Sequence, residues 1–271
     1  MPTAAMATAP IELVYEFYAA GLQLATIRTT ATFTGDSYTI SSKGQSSGIA
    51  DTLVRARFES EVTGTLEAQG PRPHTFRNFS DTRWGVRELK MTLGEDGVFA
   101  VSADPELEPG QAAALRSGMA TGTIDPLTAT LYSALSPMDA ACTEKQKVFD
   151  GRRVFTLAYS RLGTEVLEPG NAAVFAGETV KCHLKYLPLA GQSREWKLEQ
   201  ARNPTQPISI WMAAFDRTGP VGGVVLPVRM QIATDWGTAF AHLQSVKIGD
   251  TPIMQASIDA AQQAVSASPA P

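Results

Sequence analysis

The chain has 271 residues, enough for one large domain or two small ones, and a net charge of -4 with a pI near 5.5. That balance excludes nucleic-acid binding driven by bulk electrostatics, and no run of about 18 apolar residues is present to span a membrane as a helix. Charged residues make up only 18%, below the usual share of about a quarter, while Ala, Thr, Ser and Gly are abundant, as is common in secreted β-rich bacterial proteins.

Residues 1–10 are small and uncharged and read as a disordered tail. They resemble the stretch just after an export-signal cleavage site, so export by a signal peptide lying outside this chain is expected. Residues 11–18 alternate loosely and are rich in aromatics, Tyr15, Phe17 and Tyr18, before Gly21. Residues 22–33 resume the alternation, Gly35-Asp36 turns, and 38–42 follow as the next strand of a meander. Residues 48–53 read as one helical turn and 55–68 as a long strand. Residues 72–79 and 83–93 read as a hairpin turning near Ser80-Asp81, and 98–101 as a short strand. The Pro-, Gly- and Ala-rich stretch 104–122 reads as a loop.

The clearest helix signal follows. Asp125 can cap the free amides of a first turn, Pro126 suits the first helical position, and Leu127, Leu131, Tyr132 and Leu135 form one apolar stripe before Pro137. A short helix with one apolar face needs something to lie on. Asp150-Gly151 marks a hairpin, because Gly tolerates the positive φ of a type I′ turn. Strands are expected over 154–159, 165–167, 172–186, 208–215, 224–234 and 237–248, with a loop at 188–194 and a turn at 219–223. Residues 253–265 are expected to form a C-terminal helix, and 264–271 a disordered tail.

The fold class is therefore mainly β: one large, strongly curved antiparallel sheet, an open or spiral half-barrel, wrapping the short central helix. Residues 11–250 form a single β-rich domain, and 251–271 carry the C-terminal helix and tail. The aromatics and the helix must fill the concave side. Its expected lining is Tyr15, Phe17, Phe58, Phe76 and Leu131, an assignment drawn from strand alternation.

Chemistry is sparse. Cys142 and Cys182, 40 positions apart, fit one disulfide or two buried thiols; the disulfide is preferred because the other signs point to an oxidising compartment. His74, His183 and His242 have no zinc-ligand spacing and read as three partly exposed histidines, so no metal is expected. No nucleophile elbow, phosphate-binding loop or His-Glu-x-x-His occurs. Asp81, Glu88, Asp216 and Asp235 are scattered rather than paired. No catalytic residue and no cofactor is assigned. Trp211 and Trp236 read as core and Trp196 as an edge or surface contact. Arg83, Arg87 and Lys90 read as a solvated strand face.

Five motifs in order carry a family resemblance: Tyr15-x-Phe17-x-x-x-Gly21-Leu22; Gly35-x-x-Tyr38-x-Ile40; Asp125-Pro126-Leu127; Phe149-Asp150-Gly151-Arg152-Arg153; and Cys182-x-x-x-Tyr186-x-Pro188-x-Ala190-Gly191. Together they resemble a bacterial envelope family, the domain of unknown function 3108, over roughly residues 11–248. The resemblance implies the periplasm and a β-rich fold related to the half-barrels of the lipoprotein carriers LolA and LolB; it implies no catalytic residues. The expected function is non-enzymatic binding of an apolar ligand (a lipid, acyl chain or lipopeptide) for cell-envelope maintenance. The alternative is a scaffold that binds an envelope protein through edge strands, and a hydrolase with an unrecognised site stands third.

Overall fold

The computed structural model describes residues 9–53, 55–170, 172–202, 204, 206–215, 223–234 and 237–254. In chain order the elements are β1 (Ile11–Ala19), β2 (Leu22–Thr34), β3 (Ser37–Ser46), α1 (Gly48–Leu53), β4 (Arg57–Glu67), β5 (Gly70–Thr82), β6 (Gly85–Leu93) and β7 (Phe99–Asp104). Then come α2 (Pro109–Arg116), α3 (Pro126–Leu135), β8 (Lys145–Phe149), β9 (Val154–Leu167), β10 (Gly177–Ala190), α4 (Arg194–Arg202), β11 (Ile208–Phe215), β12 (Val224–Thr234), β13 (Gly237–Ile248) and β14 (Thr251–Pro252).

All the strands belong to one antiparallel sheet in the order β7-β6-β5-β4-β3-β2-β1-β13-β12-β11-β10-β9-β8, with β14 added to β13. The two ends of this path overlap without pairing. The β8–β9 turn rests on β6, so that a Cβ on Gly151 would lie 2.4 Å from the Leu89 methyls. The rings of Phe99 and Phe149 meet at 6.1 Å. The connection through α2 seals the seam: Arg152 donates to the Pro105 carbonyl at 2.8 Å and to Gln111 Oε1 at 3.4 Å. Ile124 pairs with Val148 beyond β8. The result is an open spiral, as the alternation implies.

Alternation sorts the faces. On β3 and β4 the side chains of Tyr38, Ile40 and Val62 are buried while Thr39, Ser41 and Glu61 between them are not. Helix α3 lies on that apolar face. Asp125 Oδ1 accepts from the amides of Leu127 at 2.9 Å and Thr128 at 3.0 Å, and Pro126 occupies the first turn. Leu131 packs into a core with Phe33, Tyr38, Val62, Phe76 and Met91. Each such buried side chain contributes roughly 1.5–3 kcal/mol. Tyr38 can lie flat across β4 because Gly64 has no side chain; a Cβ there would meet the Tyr38 ring at 2.5 Å.

Several local readings change. The β5–β6 turn sits at Arg83-Trp84, three residues later than expected, and β9 and β10 run to Leu167 and Ala190. The loop expected at 104–122 contains α2, and Arg194–Arg202 is a helix rather than an edge. Thr251–Pro252 is a short strand. The expected C-terminal helix, beyond Met254, lies outside the described residues, as do Trp236, Asp216 and Asp235.

Candidate functional site

Helix α3 does not fill the concave face. Between it and β1–β3 on one side and β9–β12 on the other lies a cavity of about 330 Å³. The helix supplies Leu127, Leu131 and Leu135, and the sheet supplies Leu13, Tyr15, Phe33, Ile40, Leu184, Ile210, Met212 and Met230. At roughly 30 Å³ for each water-sized or methylene-sized group, this volume holds about ten of them. Its size lies at the lower end of ligand pockets, about 300–1,000 Å³.

A few hydroxyls interrupt the apolar wall. Thr29 and Ser42 face each other across β2 and β3 at 3.0 Å. The Tyr15 hydroxyl donates to the Pro227 carbonyl at 2.9 Å. Burial holds the Tyr15 phenol well above its ordinary range and raises that of Tyr159, so both are neutral. Deeper in, Asp125, Thr128 and Tyr38 form a buried hydrogen-bonded chain, with Tyr38 Oη 2.9 Å from Thr128 Oγ1 and Thr128 donating to Asp125 Oδ2. Burial raises the Asp125 pKa, although hydrogen bonds from the Thr128 hydroxyl and from the backbone of Thr128, Leu127 and Asp125 itself oppose the shift.

The structure divides the five expected lining residues. Tyr15 and Leu131 stand in the cavity wall. Phe76 belongs to the closed core below the helix. Phe17 and Phe58 point to the same face but stand outside the cavity toward one rim, and Phe58 is 44% exposed. Most of the wall is aliphatic, and of its aliphatic side chains the expected lining holds only Leu131. The signal was present, since Leu13 is two residues from Tyr15 on the same strand face.

Cys142 and Cys182 form a disulfide with their Cα atoms 5.7 Å apart, within the ordinary range. They pack with Ile210, Met212 and Val225, directly behind the cavity wall. Trp211 is core-like at 3% exposure, whereas Trp196 is half-buried on α4 against Tyr186. The histidine expectation fails at His242, which is buried between the rings of Tyr18 and Phe240 on the outer face. Arg87 and Lys90 point to opposite faces of β6, so they do not form one strand face. Among the described residues no group of three or more His, Cys, Asp or Glu side chains could hold a metal ion. Two larger hollows, about 650 and about 630 Å³, are lined mainly by charged and hydroxyl-bearing side chains such as Lys43, Glu61, Arg77 and Glu178. No helix of the described residues is long and apolar enough to cross a membrane.

No curated protein matches the chain. Among solved structures, it is similar to a beta-barrel-like protein of domain of unknown function DUF1849 from Brucella abortus. The identity is 14%, over 90% of this chain and 99% of that chain, with a TM-score of 0.48. Residues 14–244 match the model of a family described as protein of unknown function, DUF3108. That match spans most of the chain, and the chain therefore belongs to the DUF3108 family.

Proposed function

We propose that the protein is a non-enzymatic periplasmic binder of one apolar chain, a lipid, acyl chain or lipopeptide, and that it serves cell-envelope upkeep. The observation that carries this reading is the apolar cavity beneath α3, built from about half of the strands of the sheet. An acyl chain would lie along Leu131 and Leu135 of the helix and Leu184, Ile210 and Met212 of the far wall. Its binding free energy would come from apolar area removed from water, about 25 cal/mol per Å². The hydroxyls of Thr29 and Ser42 would accept or donate to one polar group. The disulfide supports an oxidising compartment. A kinship with the LolA and LolB half-barrels belongs to the same proposal, on the shared plan of a curved sheet around a helix.

The test is native mass spectrometry on protein purified from the periplasm of its host, followed by solvent extraction. A discrete extra mass that extracts as a lipid is expected. The variant Ala31→Phe grows a side chain from β2 into the void and should lose that mass while remaining folded. Equal ligand retention by the variant would remove the cavity from the account.

One observation favours the scaffold reading as the second choice. The last part of β10, from Lys185 to Ala190, pairs with β9 on one side and with no strand on the other among the described residues. Leu187 and Leu189 are exposed there. Pro188 removes an amide from this stretch and blunts it as a template for strand addition, which ranks this reading below the carrier.

A further inference from the structure

The cavity reading leaves open how an apolar chain would enter, and the distribution of exposed apolar side chains bears on that. The interior is closed at one end and open at the other. Near the β2–β3 turn, Ile11, Phe33 and Tyr38 are buried. Toward the opposite rim the same face continues as Phe17, Ile27 and Phe58, none of them buried. Strand register fixes which elements reach that rim. Ala19 pairs with Leu22, Ala25 with Ser46, Gln45 with Arg57, Arg57 with Asp81, and Thr82 with Gly85. The β1–β2 turn, the start of β4 and the β5–β6 turn therefore follow one another along it. The end of β10 and α4 stand on the same side.

Seven of the ten exposed large apolar side chains among the described residues belong to these elements. Trp84 is 71% exposed at the β5–β6 tip, with Val86 beside it, and Leu22 is 53% exposed at the β1–β2 tip. Phe58 lies between them, and Leu187, Leu189 and Leu198 stand beyond. The Arg83 guanidinium lies 4.9 Å from the centre of the Trp84 ring. An indole at a turn tip under a guanidinium is apolar in body and cationic at its edge. Such a group is suited to the level of lipid headgroups.

Charge follows the same pattern. Segments 48–58, 81–87 and 194–202 together hold seven Arg or Lys and four Asp or Glu, net +3, in a chain of net -4. The acids Asp104, Glu106 and Glu108 lie at the seam beside β6, so the basic part of the rim is the stretch from the Trp84 tip across the start of β4. The apolar groups are presented singly on separated convex tips around an opening. A rigid protein partner would need a matching socket for each tip; a fluid bilayer surface accommodates them all.

We infer that this rim docks on an anionic phospholipid bilayer, with Trp84 and Leu22 entering the headgroup layer and the mouth of the cavity facing the membrane. The purpose assigned to the contact, passage of an apolar chain between bilayer and cavity, rests on the carrier reading; the contact itself does not.

The experiment is flotation of the full chain with vesicles of phosphatidylethanolamine and phosphatidylglycerol, comparing wild type with Trp84→Ser and Trp84→Ser/Leu22→Ser. Trp84 lies in an exposed turn and Leu22 is an exposed strand residue beside one, so folding should survive, and circular dichroism checks this. Wild type should float with the vesicles, and the double variant should lose about tenfold or more of its partitioning. Quenching of wild-type tryptophan fluorescence by brominated lipid should fall in Trp84→Ser. Failure of wild type to float, or equal flotation of the double variant, would overturn the inference. Ala31→Phe separates the two proposals: it should abolish bound ligand and leave flotation intact. Flotation that depends on Trp84 without any ligand in the cavity would sink the carrier reading and leave the docking surface standing.

Discussion

Asp125 offers the sharpest test of how the interior is held together. Its side chain is fully buried, accepts two backbone amides and one hydroxyl, and ties α3 through Thr128 to Tyr38. Burial raises its folded pKa above the ordinary value near 3.9 of an unfolded chain. Between those two pKa values the folded state binds more protons than the unfolded state. Stability is therefore highest at acid pH as far as this group is concerned, and it falls as pH rises through the raised folded value. Asp125→Asn removes the titration. Its Oδ1 keeps both amides, and its Nδ2 can donate to Thr128 Oγ1, whose hydroxyl then turns to Tyr38. Asp125→Ala removes the cap, at about 1 kcal/mol. It also leaves buried donors unpaired, at about 1–3 kcal/mol more. The sum, about 2–4 kcal/mol, corresponds to a fall in Tm on the order of 5–15 °C for a domain of this size. Urea unfolding at a series of pH values rising from the ordinary carboxylate range reads both effects. Wild type should lose stability relative to the Asn variant as pH rises, and the Ala variant should be weaker than both throughout. An Asn variant with the wild-type slope, or an Ala variant within about 1 kcal/mol of wild type, would refute this account of the network.

Three more outcomes follow from the packing. Gly64→Ala places a Cβ 2.2 Å from the Arg72 carbonyl oxygen and 2.5 Å from the Tyr38 ring, and should cost about 3 kcal/mol in chemical unfolding. Tyr38→Leu in the same chain should restore only part of this, because the carbonyl remains. Reducing Cys142–Cys182, which closes a separation of 40 residues, should cost about 4 kcal/mol in the chain-entropy model, and unfolded, unreduced protein should show no titratable thiol. Leu131→Ala, at a buried position bordering the cavity, should cost about 2–3 kcal/mol in urea unfolding and should admit a bulkier bound chain in native mass spectrometry.

The parts of the fold that were readable in advance are those with local causes. Asp125-Pro126 and the stripe from Leu127 to Leu135 define α3 within one segment, and Asp150-Gly151 marks a hairpin, although its loop runs over four residues, 150–153, and Gly151 rather than Asp150 takes the positive φ, so the expected type I′ turn is not formed. The spiral seam is not local. It depends on Gly151 meeting Leu89, some sixty positions earlier, and on Arg152 reaching Pro105. Helix α4 has no buried residue and no apolar stripe, so periodicity could not find it. The site was readable by face and unreadable by depth. Phe58 and Phe76 alternate inward alike, yet one is exposed at the rim and the other is 3% exposed under the helix. Period-two patterning says which way a side chain points and nothing about how far along the strand the plug reaches. His242 failed for a related reason, since its neighbours Tyr18 and Phe240 cover it on a face that the pattern assigns to water.

The reach of the plug explains why a cavity exists at all. Helix α3 has 10 residues and spans about 15 Å. Strand β2 has 13 residues and runs about 43 Å, or roughly 33 Å along the axis of a barrel with strands tilted by about 40°. The helix can therefore cover about half of the inner face. Ser136 and Pro137 follow its last turn, and the loop there turns away toward Cys142, which the disulfide fixes to β10. Beyond the reach of α3 the inner face carries Phe17, Ile27 and Phe58 among polar side chains such as Ser42, Ser60 and Asn78, and no element of the described chain buries those apolar groups. Apolar surface kept facing a void forgoes stabilisation of about 25 cal/mol per Å². A sheet selected for stability alone would carry polar side chains at Ile27 and Phe58, as it does on its outer face at Lys43 and Glu59. Apolar side chains retained past the end of the plug are the pattern expected if the missing part of the core is supplied by the ligand.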